Sequence, residues 1–367
     1  MKRFAFYLPQ FHEIEENNKW WGNGFTEWVK VKNATPLYRG HLQPKRPLNN
    51  NYYNLLDKST VQWQTELADK YGIDGFVYYH YYFNGKKLLE KPAENLLNWK
   101  DIKQKFFFCW ANHSWYRSWE GTKELLMRQE YGDYKDWKKH FQYLLQFFKD
   151  DRYEKKDNKP VLMIFDTKFP EKHNMFKYWN ELSREQGFDG IFIIETSFGV
   201  SNQNQFDEYC KNISEETDAV FLREPSNSLG IYKERKVNFM VDLYTRIVKK
   251  LKGKGFIKFV DRYKGDALLE CVINQKIISE KKIYRGLFFE WDNTPRHMER
   301  GYVIEPISKS KFMQYMDTIN EDDYLFINAW NEWAEGMILE PTEENKYKYL
   351  EWILEYLNKN KEINNET

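Results

Sequence analysis

Eight short apolar runs recur along this chain of 367 residues, and they constrain its fold more than any other feature. Almost every position of each run is apolar, which is typical of parallel strands buried on both faces of a sheet. The runs lie at residues 3–9, 72–83, 106–115, 160–166, 190–196, 219–225, 284–292 and 324–330. Helical patterns separate them, so the sequence predicts an α/β fold, a single (β/α)₈ TIM barrel.

The helical patterns carry recognisable start and stop residues. Residues 59–72 begin at Ser and Thr and end at Gly, and residues 170–187 begin at Pro and end at Gly. Further helices are predicted at residues 134–150, 236–255, 308–320 and 342–360. An open, doubly wound sheet is the competing fold, but no Gly-rich phosphate-binding motif follows any of the apolar runs.

Two connections are longer than a barrel requires, at residues 10–57 and 226–283. Connections that leave the carboxyl ends of barrel strands lie on the catalytic face, so both long loops are predicted to shape a cleft there. The predicted barrel domain covers residues 1–360. The segment KEINNET, residues 361–367, is predicted to be a disordered tail.

Composition argues against several classes of function. The net charge of +1 offers no electrostatic case for nucleic acid, and no apolar run is long enough to span a membrane. The three cysteines are scattered and form no Cys/His cluster, so neither a metal nor a cofactor is expected. The start MKRFAFYLPQFH lacks the long apolar core of a signal peptide, which favours a cytoplasmic protein. Aromatic residues make up 18% of the chain, and Trp and Tyr suit sugar rings.

Polar side chains gather where the predicted strands end. In a parallel barrel these positions share the carboxyl rim, where active sites of this fold occur. Candidates for sugar contact on this basis are Tyr79, His80, Trp110, Asn112, Glu290, Trp291, Asn328 and Trp330. Each also has a structural alternative, since His80 could be a hydrogen-bonded rim residue and Arg223 could neutralise a neighbour instead of binding substrate.

The segment FINAWNEWAEG, residues 326–336, places two carboxylates after the eighth run. Alternate strand residues share a face, so Glu332 is predicted to follow Trp330 into the mouth of the barrel. Glu335 comes three residues later, and a turn that Gly336 permits would return it to the same face. Two carboxylates in one aromatic pocket are what glycosidic bond cleavage requires. The alternative is that both are exposed residues of a solvated loop.

Four segments together resemble the WbsX family, a group named for glycosyltransferases of polysaccharide biosynthesis. They are FAFYLPQFHEIEENNKWWGNGFTEWVKVKNATPLYRGHLQP, GIDGFVYYHYYFNGKKLLEKPAENLL, FFFCWANHSWYRSW and INAWNEWAEGMILEP. That family is similar to glycoside hydrolase family 99, the endo-α-mannosidases. This resemblance implies a barrel without a catalytic metal and a reaction with retention. Sugar contacts are implied for Tyr7, Glu27, Tyr79, Trp110, Glu290 and Trp291.

The same resemblance implies a role for each acid. Glu332 would act as base on the sugar 2-hydroxyl, which attacks the anomeric carbon and gives an epoxide-like intermediate. Glu335 would protonate the leaving oxygen and later activate water. The sequence departs from the mannosidases at Ala334, where they carry a polar residue such as His. That departure leaves the substrate open.

The expected function is therefore a retaining, endo-acting α-glycoside hydrolase on a bacterial-type oligo- or polysaccharide. The first alternative is a glycosyltransferase or transglycosidase that builds a surface polysaccharide, although the Asp-x-Asp triplet of common metal-dependent transferases does not occur. The absence of a signal peptide favours this alternative, because biosynthesis is cytoplasmic. The second alternative is a glycan-binding protein without catalysis. Nothing in the sequence indicates an oligomeric state.

Overall fold

Eight parallel strands form the centre of the molecule, in a computed structural model that describes residues 1–117, 124–235, 260–319 and 322–366. They are β1 (Lys2–Tyr7), β2 (Gly75–Phe83), β3 (Phe106–Trp110), β4 (Lys159–Ile164), β5 (Phe192–Ser197), β6 (Thr217–Leu222), β7 (Lys282–Phe288) and β8 (Tyr324–Asn328). Each strand pairs with its neighbours in chain order, and β1 pairs with both β2 and β8. The sheet is therefore closed, and the predicted (β/α)₈ barrel is confirmed.

Twelve helices are described around and between the strands. They are α1 (Glu15–Trp21), α2 (Glu27–Lys32), α3 (Lys58–Lys70), α4 (Lys91–Asn98), α5 (Tyr134–Phe148), α6 (Lys172–Glu185), α7 (Gln203–Cys210), α8 (Ser226–Arg235), α9 (Gly265–Ile273), α10 (Thr294–His297), α11 (Lys309–Thr318) and α12 (Lys348–Glu366). Five of the six helices predicted from sequence correspond to α3, α5, α6, α11 and α12. The sixth, at residues 236–255, lies outside the described residues.

Shorter elements decorate the carboxyl face and the connections. Short strands of two or three residues are Lys86–Leu88, Trp115–Tyr116, Leu125–Met127, Lys155–Lys156, Asp261–Tyr263, Trp291–Asp292, Tyr302–Ile304, Asn331–Glu332 and Met337–Ile338. Single 3₁₀ turns occur at Leu48–Asn50, Met298–Arg300 and Trp333–Glu335. The division into a domain over residues 1–360 and a tail over residues 361–367 stays a prediction, although α12 continues through the tail segment to Glu366.

The barrel interior is a packed aromatic core. Phe6 on β1 stacks on Phe221 of β6 with ring centroids 5.7 Å apart, although the two strands are not neighbours. Phe326 on β8 meets Phe221 at 5.0 Å and Phe107 of β3 at 5.9 Å. Rings from distant strands can touch only inside the barrel, so side chains fill it and a ligand must bind above this layer.

The first long loop folds back over the carboxyl end of the barrel. It contains α1 and α2, and the indole of Trp28 on α2 donates to the carbonyl of Tyr53 at 2.8 Å. The same indole lies 5.2 Å from the ring of Trp333, in the turn after β8. The first loop and the last turn therefore support each other, and together they frame one side of a cleft.

Candidate active site

A cavity of about 500 Å³ opens at the carboxyl end of the barrel. Residues that follow all eight strands line it, which is how this fold builds its sites. One lining residue from the end of each strand or the segment after it, in order from β1 to β8, is Leu8, Tyr79, Ala111, Phe165, Phe198, Arg223, Trp291 and Glu332. The predicted cleft is therefore present on the predicted face.

A tight turn after β8 brings Glu332 and Glu335 to this cavity. Residues Asn331–Glu332 pair antiparallel with Met337–Ile338, and a 3₁₀ turn at Trp333–Glu335 joins them. Gly336 closes the turn with a φ of 65°, a left-handed conformation that suits glycine. Both carboxylates line the same cavity, and Glu332 is only 6% exposed.

Arg296 on α10 lies among three carboxylates. Its Nη2 is 3.3 Å from Glu332 Oε2, and its Nη1 donates to Glu335. Its Nε donates at 3.0 Å to Glu27 Oε1 on α2, and that carboxylate is completely buried. One guanidinium thus holds both candidate catalytic acids and the first long loop in a single ionic cluster.

The ionic cluster sets the protonation of Glu332. Burial, followed by the repulsion from Glu335, raises the pKa of Glu332 from 4.5 to about 8, and Arg296 opposes this rise. Burial also raises the pKa of Glu27, against the attraction of Arg296. Burial and the neighbouring carboxylate therefore favour the protonated form of Glu332. The family resemblance makes this same residue the base, so the roles of the two acids need a direct test.

Aromatic side chains form most of the remaining wall. Tyr81 of β2 meets Trp115 edge to face with ring centroids 5.0 Å apart, and both line the cavity. Phe165 and Phe198 lie 4.9 Å apart on the side of β4 and β5. Flat apolar faces of this kind pack against the C–H faces of sugar rings.

Four of the twelve predicted site residues line the cavity, namely Tyr79, Trp291, Glu332 and Glu335. Glu27 touches it indirectly through Arg296. The other seven side chains are outside the cavity lining of the described structure: Tyr7, His80, Trp110, Asn112, Glu290, Asn328 and Trp330. Contact of these seven residues with a substrate stays a prediction.

Strand alternation explains where the side chains of His80 and Trp110 lie. Tyr79 and Tyr81 point to the cavity, so His80 between them points to the helix layer, with its Nε2 2.8 Å from His140 Nε2 of α5. Trp110 also faces outward, and its indole donates to the carbonyl of Tyr82 at 3.2 Å. Both residues lie near the carboxyl ends of their strands, but their side chains pack between the barrel and α5.

The remaining outliers hold loops in place. Asn112 joins the segments after β3 and β4, since its side chain donates to the Asp166 carbonyl at 2.6 Å. Glu290 lies 2.9 Å from Lys45 of the first long loop. Asn328 donates to the Glu224 carbonyl at 2.5 Å. These residues hold together the segments that form the walls of the cavity.

Tyr7 and Trp330 lie near a buried polar network next to the turn at Trp333–Glu335. Tyr7 donates to Gln64 at 2.6 Å, and Gln64 donates to Glu340 at 2.6 Å. The Trp333 indole also donates to Glu340, at 2.7 Å, so this carboxylate anchors the turn that carries the two acids. The ring of Trp330 packs against Phe76 at 4.8 Å. Burial raises the pKa of Glu340 to about 7.

Sequence reasoning missed Arg296 and Tyr81 as cavity residues. Arg296 lies in a four-residue helix, which is too short to show a periodic pattern. Tyr81 could have been found by counting two residues on from Tyr79 along the same face. Ala334, the position where the sequence departs from the mannosidases, is completely buried in the turn and is not a lining residue of the described cavity.

A second cavity of about 980 Å³ adjoins the first and shares His113, Phe165 and Phe198 with it. Among the residues that the structure describes, no group of three or more His, Cys, Asp or Glu side chains is arranged to hold a metal ion. Within the same residues, no helix is both long and apolar enough to cross a membrane.

Solved structures with the same architecture contain glycoside hydrolase barrels. A protein described as "Glycoside hydrolase-like protein" aligns with a TM-score of 0.59 and 14% identity, covering 97% of this chain and 93% of the other. The GH99 endo-α-mannosidase of Bacteroides thetaiotaomicron, in complex with bis-tris-propane, aligns with a TM-score of 0.56 and 11% identity, over 100% and 99% of the two chains. At these identities the likeness establishes the fold alone.

Sequence comparison gives the family. "Uncharacterized protein WxcX" from two strains of Xanthomonas campestris pv. campestris is 28% identical to this chain over 361 residues. The match covers 95% of this chain and 48% of the relative, so the chain spans about half the length of these relatives. The sequence model named "Glycosyltransferase WbsX" matches residues 3–353. Both findings agree with the resemblance seen in the motifs, and the chain belongs to the WbsX glycosyltransferase family.

Proposed function

We propose that this chain is a carbohydrate-active enzyme, a retaining glycoside hydrolase that cleaves a bacterial-type polysaccharide within its chain. The observation that carries the proposal is the placement of Glu332 and Glu335 in the wall of one aromatic cavity. The raised pKa of Glu332 and the contact between Arg296 and Glu335 give the two carboxyl groups different environments. Such a difference is what assigns acid and base roles to a pair of carboxyl groups.

The proposed reaction needs one proton on the pair. One carboxyl group protonates the leaving oxygen, while the other removes the proton of the sugar 2-hydroxyl as that oxygen attacks the anomeric carbon. Water then attacks the anomeric carbon and gives a proton to the first group, while the second group returns its proton to the 2-oxygen as the epoxide-like ring opens. Protein residues supply both proton transfers, each worth about 10²–10⁴-fold in rate.

Two assignments of the roles remain to be tested. The family resemblance makes Glu332 the base and Glu335 the acid. Because burial favours the protonated form of Glu332, this assignment requires transfer of that proton before Glu332 can act as base. The reverse assignment, with Glu332 as acid, requires no such transfer. The two differ in which variant can be rescued by a reactive substrate.

Glu332→Gln and Glu335→Gln, tested against oligosaccharides and against their glycosyl fluorides, separate these roles. The variant that lacks the acid is expected to regain turnover on the fluoride, because that leaving group needs no proton. The variant that lacks the base stays inactive on both. Glu94→Gln on α4, which removes a carboxylate paired with Lys87 away from the cavity, is the control. Full activity of both cavity variants on a natural glycan would overturn the proposal.

Action within a chain is supported by the second cavity. It continues from the first past His113, Phe165 and Phe198, which gives room for sugar units on one side of the cleavage point. Oligosaccharide products seen early by mass spectrometry support endo action, and monosaccharide alone contradicts it. A bound carbohydrate is the proposed partner.

The second candidate function is transfer of a sugar to another glycan, and the family name favours it. The same two acids could deliver the intermediate to an acceptor hydroxyl in place of water. Products longer than the substrate, formed when acceptor oligosaccharide is added, would distinguish transfer from hydrolysis. Binding to glycans without any new product would leave the third candidate, a glycan-binding protein. The cytoplasmic location stays a prediction from the sequence.

A further inference from the structure

Arg223, directly after β6, is a buried cation in the wall of the main cavity. Its residue surface is 8% exposed. Its Nη2 donates to the hydroxyl of Tyr79 at 2.6 Å, while its Nη1 is buried without a hydrogen-bond partner. Among the described residues, no carboxylate lies within ion-pairing distance of this guanidinium. A buried cation in that state is costly unless something compensates its charge.

Aromatic rings compensate only part of that cost. The guanidinium lies 4.5 Å from the centroid of Phe6, 5.2 Å from that of Phe165 and 6.0 Å from that of Phe198. Cation–π contacts of this kind are each worth about 0.5–2 kcal/mol, and ring faces do not accept the remaining N–H groups as a carboxylate would. The rings hold the cation in place and leave hydrogen-bonding capacity unused.

The nearby acids do not complete the compensation. Glu332 already contacts Arg296, and burial raises the pKa of Glu332, which disfavours its negative charge. Glu224 accepts a hydrogen bond at 3.0 Å from the backbone of Ser228, and burial raises its pKa to about 7. The contrast with Arg296 is direct, because that guanidinium pairs with Glu27, Glu332 and Glu335.

We propose that Arg223 binds an anionic group of the substrate glycan, a carboxylate of an acidic sugar in the first instance. A planar guanidinium matches a planar carboxylate, and the cavity gives such a group access to it. The inference rests on the proposed function, since it takes the cavity to be the glycan site. It narrows the substrate class to glycans that carry acidic units. Sulfate and phosphate substituents are also anions that a guanidinium can bind, and the thermal-unfolding experiment below distinguishes them from a carboxylate.

The first experiment measures anion binding without reference to turnover. Thermal unfolding is followed in sodium glucuronate, sulfate or phosphate, with sodium chloride of equal ionic strength and glucose as references. Glucuronate is expected to raise the wild-type Tm, as a ligand of the native state does, and not to raise that of Arg223→Met above the chloride value. Sulfate or phosphate acting alone would assign the anion to those substituents and overturn the carboxylate.

Two further variants test whether the effect of glucuronate depends on the guanidinium of Arg223 and not on charge alone. Arg223→Lys keeps the charge and loses the planar fork, and binding at least about threefold weaker than wild type is expected. Arg3→Met removes a cation that pairs with Asp74 at the opposite end of the barrel, and its response to glucuronate should equal that of the wild type. An equal response in Arg223→Met and wild type, or in both and in chloride, overturns the inference.

The second experiment uses a glycan array in which each acidic oligosaccharide is paired with its carboxyl-reduced form. Wild-type protein should retain the acidic member at least about tenfold better, and Arg223→Met should lose that preference. A role limited to the electrostatics of Glu332 would instead shift the pH profile equally for both members. Binding of acidic glycan through Arg223 without cleavage would defeat the proposed function alone. Cleavage of neutral glycan, unaffected by Arg223→Met, would defeat this inference alone.

Discussion

In the cluster around Arg296, one guanidinium pairs with the carboxyl groups of Glu27, Glu332 and Glu335. Glu27 is completely buried and pairs with this guanidinium. Removing one partner of a buried pair leaves an uncompensated charge, which is worse than removing both. The arginine therefore links the buried Glu27 to the two acids for which catalytic roles are proposed.

Arg296→Met is expected to lower the free energy of unfolding by about 3–5 kcal/mol, because Glu27 is left buried without its cation. Urea unfolding monitored by tryptophan fluorescence measures the change. The double variant Glu27→Gln/Arg296→Met should be more stable than Arg296→Met alone. Arg262→Met, which removes a half-exposed partner of Glu305, is the control and should cost at most about 1 kcal/mol. A double variant no more stable than the single one would contradict the pairing.

At the level of single residues, sequence reasoning located the acids better than their surroundings. Glu332 and Glu335 line one cavity because of the turn after β8 and not through strand alternation alone, since Trp330, two residues before Glu332, lies outside the lining. His80 points to the helix layer, since one residue of register separates the cavity from that layer. Arg296 meets its partners across long distances in sequence, and no local pattern encodes such contacts.

Among the elements, the turn after β8 matters most for the site. A Cβ added to Gly336 would lie 3.0 Å from the backbone nitrogen of Asp292, whose carboxylate also accepts from His41 and Gln43. The glycine is therefore required twice, for its left-handed φ and for the close approach of this neighbour. Displacing the turn would move Glu335 directly.

Gly336→Ala is expected to lower activity on the identified glycan by at least about tenfold, since shifts near 1 Å at a reacting group are costly. Its stability should fall by about 1–3 kcal/mol. Gly187→Ala is the matched control, because Gly187 has a φ of 88° and open space around its Cβ position. That variant should show a loss of stability near 1 kcal/mol and normal activity. Equal activity losses in the two variants would contradict a special role for the turn.

Element boundaries explain part of what the sequence left undecided. The seventh run was predicted at residues 284–292, whereas β7 is Lys282–Phe288 and Trp291–Asp292 pairs in a separate small sheet. Glu290 therefore sits in the connection, where it meets Lys45, and only Trp291 reaches the cavity. Apolar composition alone does not mark the end of a strand that continues into another apolar element.

At the scale of the whole molecule, the fold was predictable because burial on both faces leaves a distinct pattern. The eight runs identify the eight barrel strands, and each strand pairs with the strands that precede and follow it in the chain. The location of the cavity followed from the fold, since carboxyl ends of parallel strands share one rim. The layering of aromatic rings inside the barrel depends on packing and was not readable from the sequence.

The stability of the whole molecule should peak in mildly acidic solution. Buried Glu224, Glu332 and Glu340 have pKa values raised to about 7, 8 and 7. They keep protons that the unfolded chain releases above pH 4.5, so their contribution is lost as pH rises toward 8. Five histidines have lowered pKa values, namely His12, His80, His113, His140 and His297. Their contribution is present above pH 6.5 and is lost as pH falls.

Calorimetry across pH should therefore show a Tm that falls on the order of 5 °C between pH 6.5 and 8, and falls again below about pH 4.5. Glu332→Gln removes one of the raised groups, so its Tm should exceed the wild-type value at pH 8 and approach it at pH 4.5. Glu94→Gln should follow the wild-type curve between pH 6.5 and 8. The linkage would be contradicted by a Glu332→Gln curve parallel to that of the wild type.

The strand order has a consequence for synthesis on the ribosome. β1 emerges first, but one of its edges stays unpaired until β8, the last of the eight strands, is available. Glu332 and Glu335 follow β8, so a growing polypeptide contains neither the closed barrel nor its carboxyl pair. The two proposed catalytic acids are thus made only after seven of the eight strands, and a nascent chain that stalls before β8 leaves one edge of β1 unpaired.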